Sequence, residues 1–367
     1  MITFGIMSLN LETEAPYITE MAEHAKDLGI EAFRFVPTNI NPNTLQVQGK
    51  KFDAEQKNWV NAEFPIPRIL YDRCFYGEDD QSKQCLPIVS WLKSRKDINF
   101  LGYGLPNKLD LYQALKDTKL SAYLPPTKQV IDTVGILKEL NSGKKIVIKP
   151  INGSQGYGIY SLKKNDKSIH VKTEKQKQII SRIFPNEGKF SHWLKSLLAR
   201  HQYLMQPYLE LTNSELQPFD IRILLQKNEH GNWGEIGRGV RIGTSGGILS
   251  NLSAGGMATA FSEWSASLPA ARREFIQQEL TSILTELPHL LERSFLPLFE
   301  IGVDIGIAKN GSIWILDMNS KPGRKVILQT RPNLKEKLYC APLLYAKYLS
   351  ESKDQERKNI YEKTLSH

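Results

Sequence analysis

Residues 299–323, FEIGVDIGIAKNGSIWILDMNSKPG, decide how this chain is to be read. They predict two strands joined by a tight turn. Asn310-Gly311 is a strong hairpin signal, because both residue types tolerate the positive φ of a two-residue turn. With the loop there, Lys309 faces Ser312, and pairing outward sets Asp304 opposite Asp317. Asn319, two residues on, shares the face of Asp317. Opposed carboxylates in a sheet repel, and a cation between them reverses the sign. Hard oxygen ligands with room for phosphate oxygens suit Mg²⁺. The competing reading is a hairpin with a solvated acidic face. Apolar neighbours (Ile301, Val303, Ile305, Trp314, Leu316) and the following Ser320-Lys321-Pro322-Gly323 run weigh against it.

The chain has 367 residues, room for two or three domains. With 41% hydrophobic residues, it has the composition of an ordinary globular protein. Lys and Arg number 48 against 39 Asp and Glu, a formal charge of +9. That bias suits an anionic ligand but is too diffuse to argue for nucleic acid as a partner. Cys74, Cys85 and Cys340 have neither metal nor redox spacing, so reduced thiols in a cytoplasm are expected. MITFGIMSL lacks the basic start of a signal peptide. No apolar run approaches the roughly 18 residues of a membrane span, so no membrane association is expected.

Residues 3–9 and 32–36 read as strands, with a helix over 16–28 between them that stops at Gly29. Together they suggest a parallel strand–helix–strand unit. Residues 65–71 and 100–104 read as further strands and 88–93 as a helix. Asp72 and Arg73 close the first of those strands, where open α/β sheets place ligands, or else they pair with each other. Residues 1–105 therefore form an N-terminal α/β domain. Lys108 opens a helix, the wrong sign for its dipole unless an anion sits there. A stiff Leu124-Pro-Pro-Thr127 connector and a helix over 133–140 follow.

Residues 145–162, KIVIKPINGSQGYGIYSL, predict a buried strand, a glycine-rich loop and a return strand. Gly153, Gly156 and Gly158, with Ser154 among them, let backbone amides approach a phosphate, and Lys149 adds a point charge beside them. The pattern is neither Rossmann nor Walker A, because the return element is a strand and the lysine precedes the loop. Residues 163–177 read as a solvated edge or loop. In the strand 203–209, Pro207 implies an edge or an interruption. Backbone groups at Gln206 and Tyr208 would then be free for a purine edge, with Glu210 near a ribose. Asp220 and Arg222 share one face of a strand over 219–226. Arg238 and Arg241 lie in the next strand, and residues 243–259 form a loop of small residues. Arginines here suit a phosphoryl group, although at least one should simply pair with an acid such as Asp220. A helix over 268–291 should bend or break at Pro288. An apolar helix over 338–349 precedes a charged tail, 351–367, expected to fray.

These motifs, in this order, resemble the ATP-grasp enzymes. The matching residues are Lys108; Ile148-Lys149-Pro150 with its loop; Met205-Gln206-Pro207-Tyr208-Leu209; Asp220-Ile221-Arg222; Asp304; and Asp317-Met318-Asn319-Ser320-Lys321-Pro322-Gly323. The resemblance covers about residues 106–349 and is strongest to the YheC/YheD group, described as endospore coat-associated proteins. It implies a multidomain α/β and α+β chain: the N-terminal domain as pre-ATP-grasp domain, then ATP-grasp subdomains at 106–205 and 206–350. ATP would lie between the two subdomains. Lys108 and Lys149 would touch its phosphates. Gln206, Pro207, Tyr208 and Leu209 would hold adenine, and Glu210 the ribose. Asp304, Asp317 and Asn319 would hold Mg²⁺, and Arg222 and Arg241 an acyl phosphate. Many relatives carry Glu where this chain has Asp317, which bears on how many ions bind. The implied reaction joins a small-molecule or peptide carboxylate to an amine, releasing ADP and phosphate. A coat-associated ATP-binding protein without ligase activity, or a small-molecule kinase, would use the same site. Spore coat proteins or a second copy of the chain are the implied macromolecular partners.

Overall fold

The structure, a computed structural model, describes residues 1–367 except 154, 155, 176, 177, 251, 253, 254, 366 and 367, with side chains placed as far as residue 352. Three sheets succeed one another along the chain. The first is built from β1 (Ile2–Met7), β2 (Ile30–Phe35), β3 (Gln46–Asp53), β4 (Asn58–Pro65), β5 (Ile69–Asp72) and β6 (Asn99–Phe100), with α1 (Ala15–Glu23) and α2 (Asp80–Ser94) between strands. Its order is β4-β3-β2-β1-β5-β6. β1 runs parallel to both β2 and β5, as the strand–helix–strand pattern predicts. The β3–β4 hairpin has no counterpart in the sequence reading. Its alternation is mostly polar, and Val47, Phe52 and Phe64 are its buried anchors. The strands expected at 65–71 and 100–104 are shorter, Ile69–Asp72 and Asn99–Phe100.

The second sheet follows α3 (Lys108–Leu115). It contains β7 (Lys128–Val130), β8 (Ile146–Pro150), β9 (Tyr160–Asn165), β10 (Ser168–Lys175), β11 (Gln178–Phe184) and β12 (Tyr203–Pro207), with α4 (Thr133–Asn141) and α5 (Glu187–Leu198). The order is β11-β10-β9-β8-β12-β7. The segment 163–177 was expected as a loop or solvated edge, but its residues 163–175 instead supply half of β9 and all of β10. Leu162, Ile169 and Val171 reach the core beneath α4 and α5, and lysines alternate with them. Period-2 alternation persists here, but charge masks it.

The third sheet is antiparallel: β13 (Phe219–Lys227), β14 (Trp233–Ile242), β15 (Met257–Ala260), β16 (Glu300–Ile307) and β17 (Ile313–Asn319), in the order β15-β14-β13-β16-β17. After α6 (Phe261–Ala266), helix α7 (Ala270–Ser294) runs unbroken through Pro288, so of the expected bend or break the break does not occur. Its stripe of Ile276, Leu280, Ile283, Leu287 and Leu291 is buried with Ile221, Ile223, Val303 and Ile305, and this packing offsets the one hydrogen bond that proline removes. α8 (Lys325–Thr330) and α9 (Lys335–Leu365) complete the chain, so most of the segment expected to fray continues a helix. Leu338, Tyr345 and Ala346 of α9 share a core with Ile18, Met21, Tyr71 and Phe299, joining the first and third sheets.

A buried polar cluster reinforces that junction. Glu300 accepts from the Tyr71 hydroxyl (2.7 Å), Arg73 Nη1 (2.9 Å), Arg324 Nη2 (2.8 Å) and Gln226 Nε2 (3.0 Å). Arg73, fully buried, also pairs with Glu14 at 2.7 Å. Asp72 is held by Lys321 at 2.7 Å. The expectation that Asp72 and Arg73 form a ligand edge or pair with each other is therefore replaced: each pins a different element across the sheets.

Candidate active site

The hairpin of β16 and β17 brings Asp304 directly opposite Asp317, by a different route from the one expected. The loop has three residues, not two. Ala308 N–H donates to Ser312 O and Gly311 N–H to Ala308 O, and Gly311 takes φ +90°. That is a turn followed by a left-handed glycine, the usual three-residue solution. The change shifts the register by one as far as Ile305↔Ile315. A bulge then leaves Leu316 unpaired and restores Asp304↔Asp317. The Leu316 carbonyl accepts from Lys149 Nζ at 3.1 Å. The bulge thus aligns the two carboxylates and anchors the lysine at the end of β8.

Cross-strand pairing puts more charge on the same face. Arg222 lies opposite Asp304, and Arg241 opposite Asp220. Arg222 Nη2 donates to Asp304 Oδ2 at 3.2 Å, and Arg222 Nε stands 2.7 Å from Oδ1. Arg241 Nη2 reaches Asp304 Oδ2 at 2.9 Å, and its Nε and Nη2 grip Asp220 at 2.7 and 2.6 Å. The Ser250 hydroxyl also donates to Asp220. Arg238 points to the opposite face, pairs with Glu235 and meets Gln277 of α7, so it is not part of the site. Gly302 keeps this face open: a Cβ there would stand 2.7 Å from Pro322 and 2.8 Å from Arg222 Nη1.

Lys108 Nζ lies 2.5 Å from Asp317 Oδ1, across 209 residues of chain. The anion that excuses a lysine at the start of α3 is therefore Asp317, while Asn107 caps the helix through Leu109 and Asp110 N–H. Burial raises the Asp304 carboxyl above its ordinary pKa despite Arg222 and Arg241. Burial also pushes Asp317 upward, but the charges of Lys108 and Lys149 outweigh it and hold that carboxyl below its ordinary value. Burial, assisted by Lys108, pushes the Lys149 ammonium down to about 8.

Lys108, Lys149, Gln206 and Asp317 line one cleft between the second and third sheets, with Leu124, Leu204, Leu316 and Met318 as apolar wall. Gln206 is in this wall, but the Tyr208 N–H is not free as expected. It donates to Lys145 O at 3.0 Å, and Lys145 Nζ sits 3.2 Å from the Tyr208 ring centroid. β12 is also not an edge strand. It lies between β8 and β7, and β7 stops opposite Met205, so only the end carrying Gln206 and Pro207 projects beyond it. Leu209 is half-buried and Glu210 exposed, and the Glu210 carbonyl accepts from Lys309 of the hairpin turn. Gly156 and Gly158 have φ of +80° and +73°, and Gly153 precedes them. Ser154 lies outside the described residues.

Two carboxylates and one carboxamide meet the requirement for a hard divalent cation. Asp304 Oδ1 is buried and accepts no well-directed hydrogen bond, although Arg222 Nε pairs with it by charge at 2.7 Å, and Asn319 Nδ2 lies 3.5 Å from Asp317 Oδ2. Among the described residues no three His, Cys, Asp or Glu side chains converge as a metal cage. The donor set therefore fits an ion whose remaining ligands come from phosphate oxygens, as with Mg²⁺.

Two sheets closing on a lysine-lined cleft, with opposed acids on the terminal hairpin, define the ATP-grasp fold. A solved D-cycloserine synthetase, DcsG, shares it: TM-score 0.51 and 14% identity, over 95% of this chain and 99% of that one. Residues 97–349 match the YheC/D-like ATP-grasp family. Endospore coat-associated protein YheC of Bacillus subtilis (strain 168) is 40% identical over 360 residues, 97% of this chain and 98% of that protein. Protein YheD of the same strain, also described as endospore coat-associated, is 27% identical over 91% of this chain and 74% of its own length. The chain belongs to the YheC/D-like ATP-grasp family. Among the described residues no helix is long and apolar enough to cross a membrane.

Sequence reasoning missed the Leu316 bulge, Ser250 and Thr127. Only Thr127 left a trace, as the end of a stiff Pro-Pro connector. Its partner Gln206 is 79 residues away, so no local pattern links them.

Proposed function

We propose that this protein is an ATP-dependent carboxylate–amine ligase that works through an acyl phosphate. The observation that carries the reading is one charged sheet face: Asp304 opposite Asp317, flanked by Arg222, Arg241, Lys108 and Lys149. Lys108 and Lys149 would bind the terminal phosphates of ATP as fixed charges. Asp304, Asp317 and Asn319 would hold Mg²⁺, which when bound neutralises charge on those phosphates. Arg222 and Arg241 would release part of their grip on Asp304 to bind the phosphoryl oxygens of the acyl phosphate. Asp220 and Ser250 orient Arg241 for that task. An oxygen of the acid attacks the terminal phosphorus and ADP leaves; the amine then attacks the acyl carbon, expelling phosphate. The chain contributes position and preorganised charge, and no covalent nucleophile.

The test is a hydroxylamine trap with pooled amino acids and peptides. Acid-dependent ADP release with hydroxamate formation supports the ligase. AMP and pyrophosphate, or a phosphorylated alcohol without hydroxamate, would rule it out, the second product pointing to a kinase. ATP binding without turnover would favour a binding protein. The descriptions of the two Bacillus relatives support an endospore-associated setting, with coat proteins as partners. Fractionation of sporulating cells with an antibody to the chain tests that part separately.

A further inference from the structure

Thr127, just before β7, and Gln206, in β12, meet in the wall of the cleft that holds Lys108 and Lys149. Thr127 Oγ1 donates to Pro125 O at 2.7 Å. A hydroxyl has one proton, so once it is given to Pro125 the oxygen can only accept. The amide of Gln206 lies 2.7 Å away and must therefore present Nε2 to Thr127. This removes the twofold ambiguity of a carboxamide. Oε1, an acceptor, is left over, and no described residue donates to it. Thr127 is buried, so water does not compete for the relay.

We propose that Thr127, as a positioning residue, locks Gln206 so that the cleft selects a purine bearing an exocyclic amino group over a 6-oxo purine. The proposal rests on the nucleotide reading above. Adenine would donate an amino proton to Oε1, with its faces against the apolar side chains of the same wall, Leu204 and Leu316 among them. A 6-oxo purine would set its carbonyl against Oε1, two acceptors with no proton between them. Turning the amide to correct this would cost the hydroxyl its bond to Pro125 O, because its single proton would have to swing to the Gln206 carbonyl.

Calorimetric titration of the full chain with ATP and with ITP, both with Mg²⁺, tests this without an acid substrate. The two nucleotides share ribose and phosphates. The parent should bind ATP at least about tenfold tighter than ITP. Thr127→Val keeps the shape but frees the amide to turn, so the ratio should fall to within about threefold. Thr127→Ser keeps the hydroxyl and should restore it. Gln206→Leu, which removes the acceptor itself, should also erase the preference. A purely structural role for Thr127 would weaken both nucleotides together and leave their ratio unchanged, which would overturn the proposal. Equal affinities in the parent would overturn it alone. A parent that binds neither nucleotide would overturn the nucleotide reading with it.

Discussion

Raising the pH from 7 to 9 should weaken ATP binding about tenfold through Lys149 alone. Burial lowers the ammonium of this lysine from 10.5 to about 8, with Lys108 acting in the same direction and Asp317 and Asp304 against it. About nine-tenths of the free protein then carries the charge at pH 7 and about one-tenth at pH 9. Bound phosphates favour the charged form, so ATP binding takes up a proton in the window between about 8 and 10.5. The sign follows: affinity is complete below the free-state value and falls as the pH rises through it. Calorimetry at pH 7, 8 and 9, in buffers of different ionisation enthalpy, reads both the affinity and the proton uptake. Lys149→Arg, charged throughout, should flatten the profile, and Lys149→Ala should bind weakly at every pH while keeping its fold. A parent profile that stays flat to pH 9, or an equal slope in Lys149→Arg, would refute the assignment of this lysine to the phosphates.

Asp317→Asn keeps the shape of the hairpin but removes one charge and weakens the hold on Lys108. It should slow hydroxamate formation at least about tenfold while changing ATP affinity less than about threefold, because the charge counts most in the transition state; equal losses in both would reject that role. Glu300→Gln leaves the guanidiniums of Arg73 and Arg324 buried without their shared carboxylate, so denaturant unfolding should show a loss of about 3–5 kcal/mol. A loss under about 1 kcal/mol would mean that the cluster does not hold the sheets together. Glu174 of β10 accepts from the amides of Ile248 and Leu249, tying the loop after β14 to the second sheet. Glu174→Ala should speed hydrogen exchange at those two amides and leave the β16–β17 ladder unchanged, whereas undiminished protection would show that the loop is held by other contacts.

Residues 299–323 carried the hairpin and its opposed acids by themselves, because strand period and turn chemistry are local properties. Alternating Ile301, Val303 and Ile305 mark one face of a strand whatever it packs against, and the Asn-Gly pair marks the turn. The motif order from Lys108 to Gly323 was equally legible, since each short signal stands on contiguous residues. The alignment of Asp304 with Asp317 was read correctly, but through a two-residue turn that the structure replaces with a three-residue loop and a compensating bulge. One residue of slip moves every side chain to the other face, and here the bulge corrects that slip for the sake of Lys149 and the cleft. The polar strands β3, β4 and β10 were missed although they pair with the strands next to them in the chain, because they carry few apolar residues to mark a buried face. Their own alternation is diluted by polar residues: glutamine and lysine in β3, asparagine and glutamate in β4, lysine and glutamate in β10. Which arginine serves the site was likewise beyond the sequence: three residues apart in one strand, Arg238 and Arg241 fall on opposite faces by alternation, but only sheet pairing shows that the Arg241 face is the one with Asp220 and Asp304. Local periodicity thus determined most of the apolar elements, and the order of short motifs the fold. Contacts between distant segments, Lys108 with Asp317, Thr127 with Gln206 and Arg73 with Glu300, decided the site and the joints, because electrostatics and hydrogen bonds act through space and leave no spacing to read.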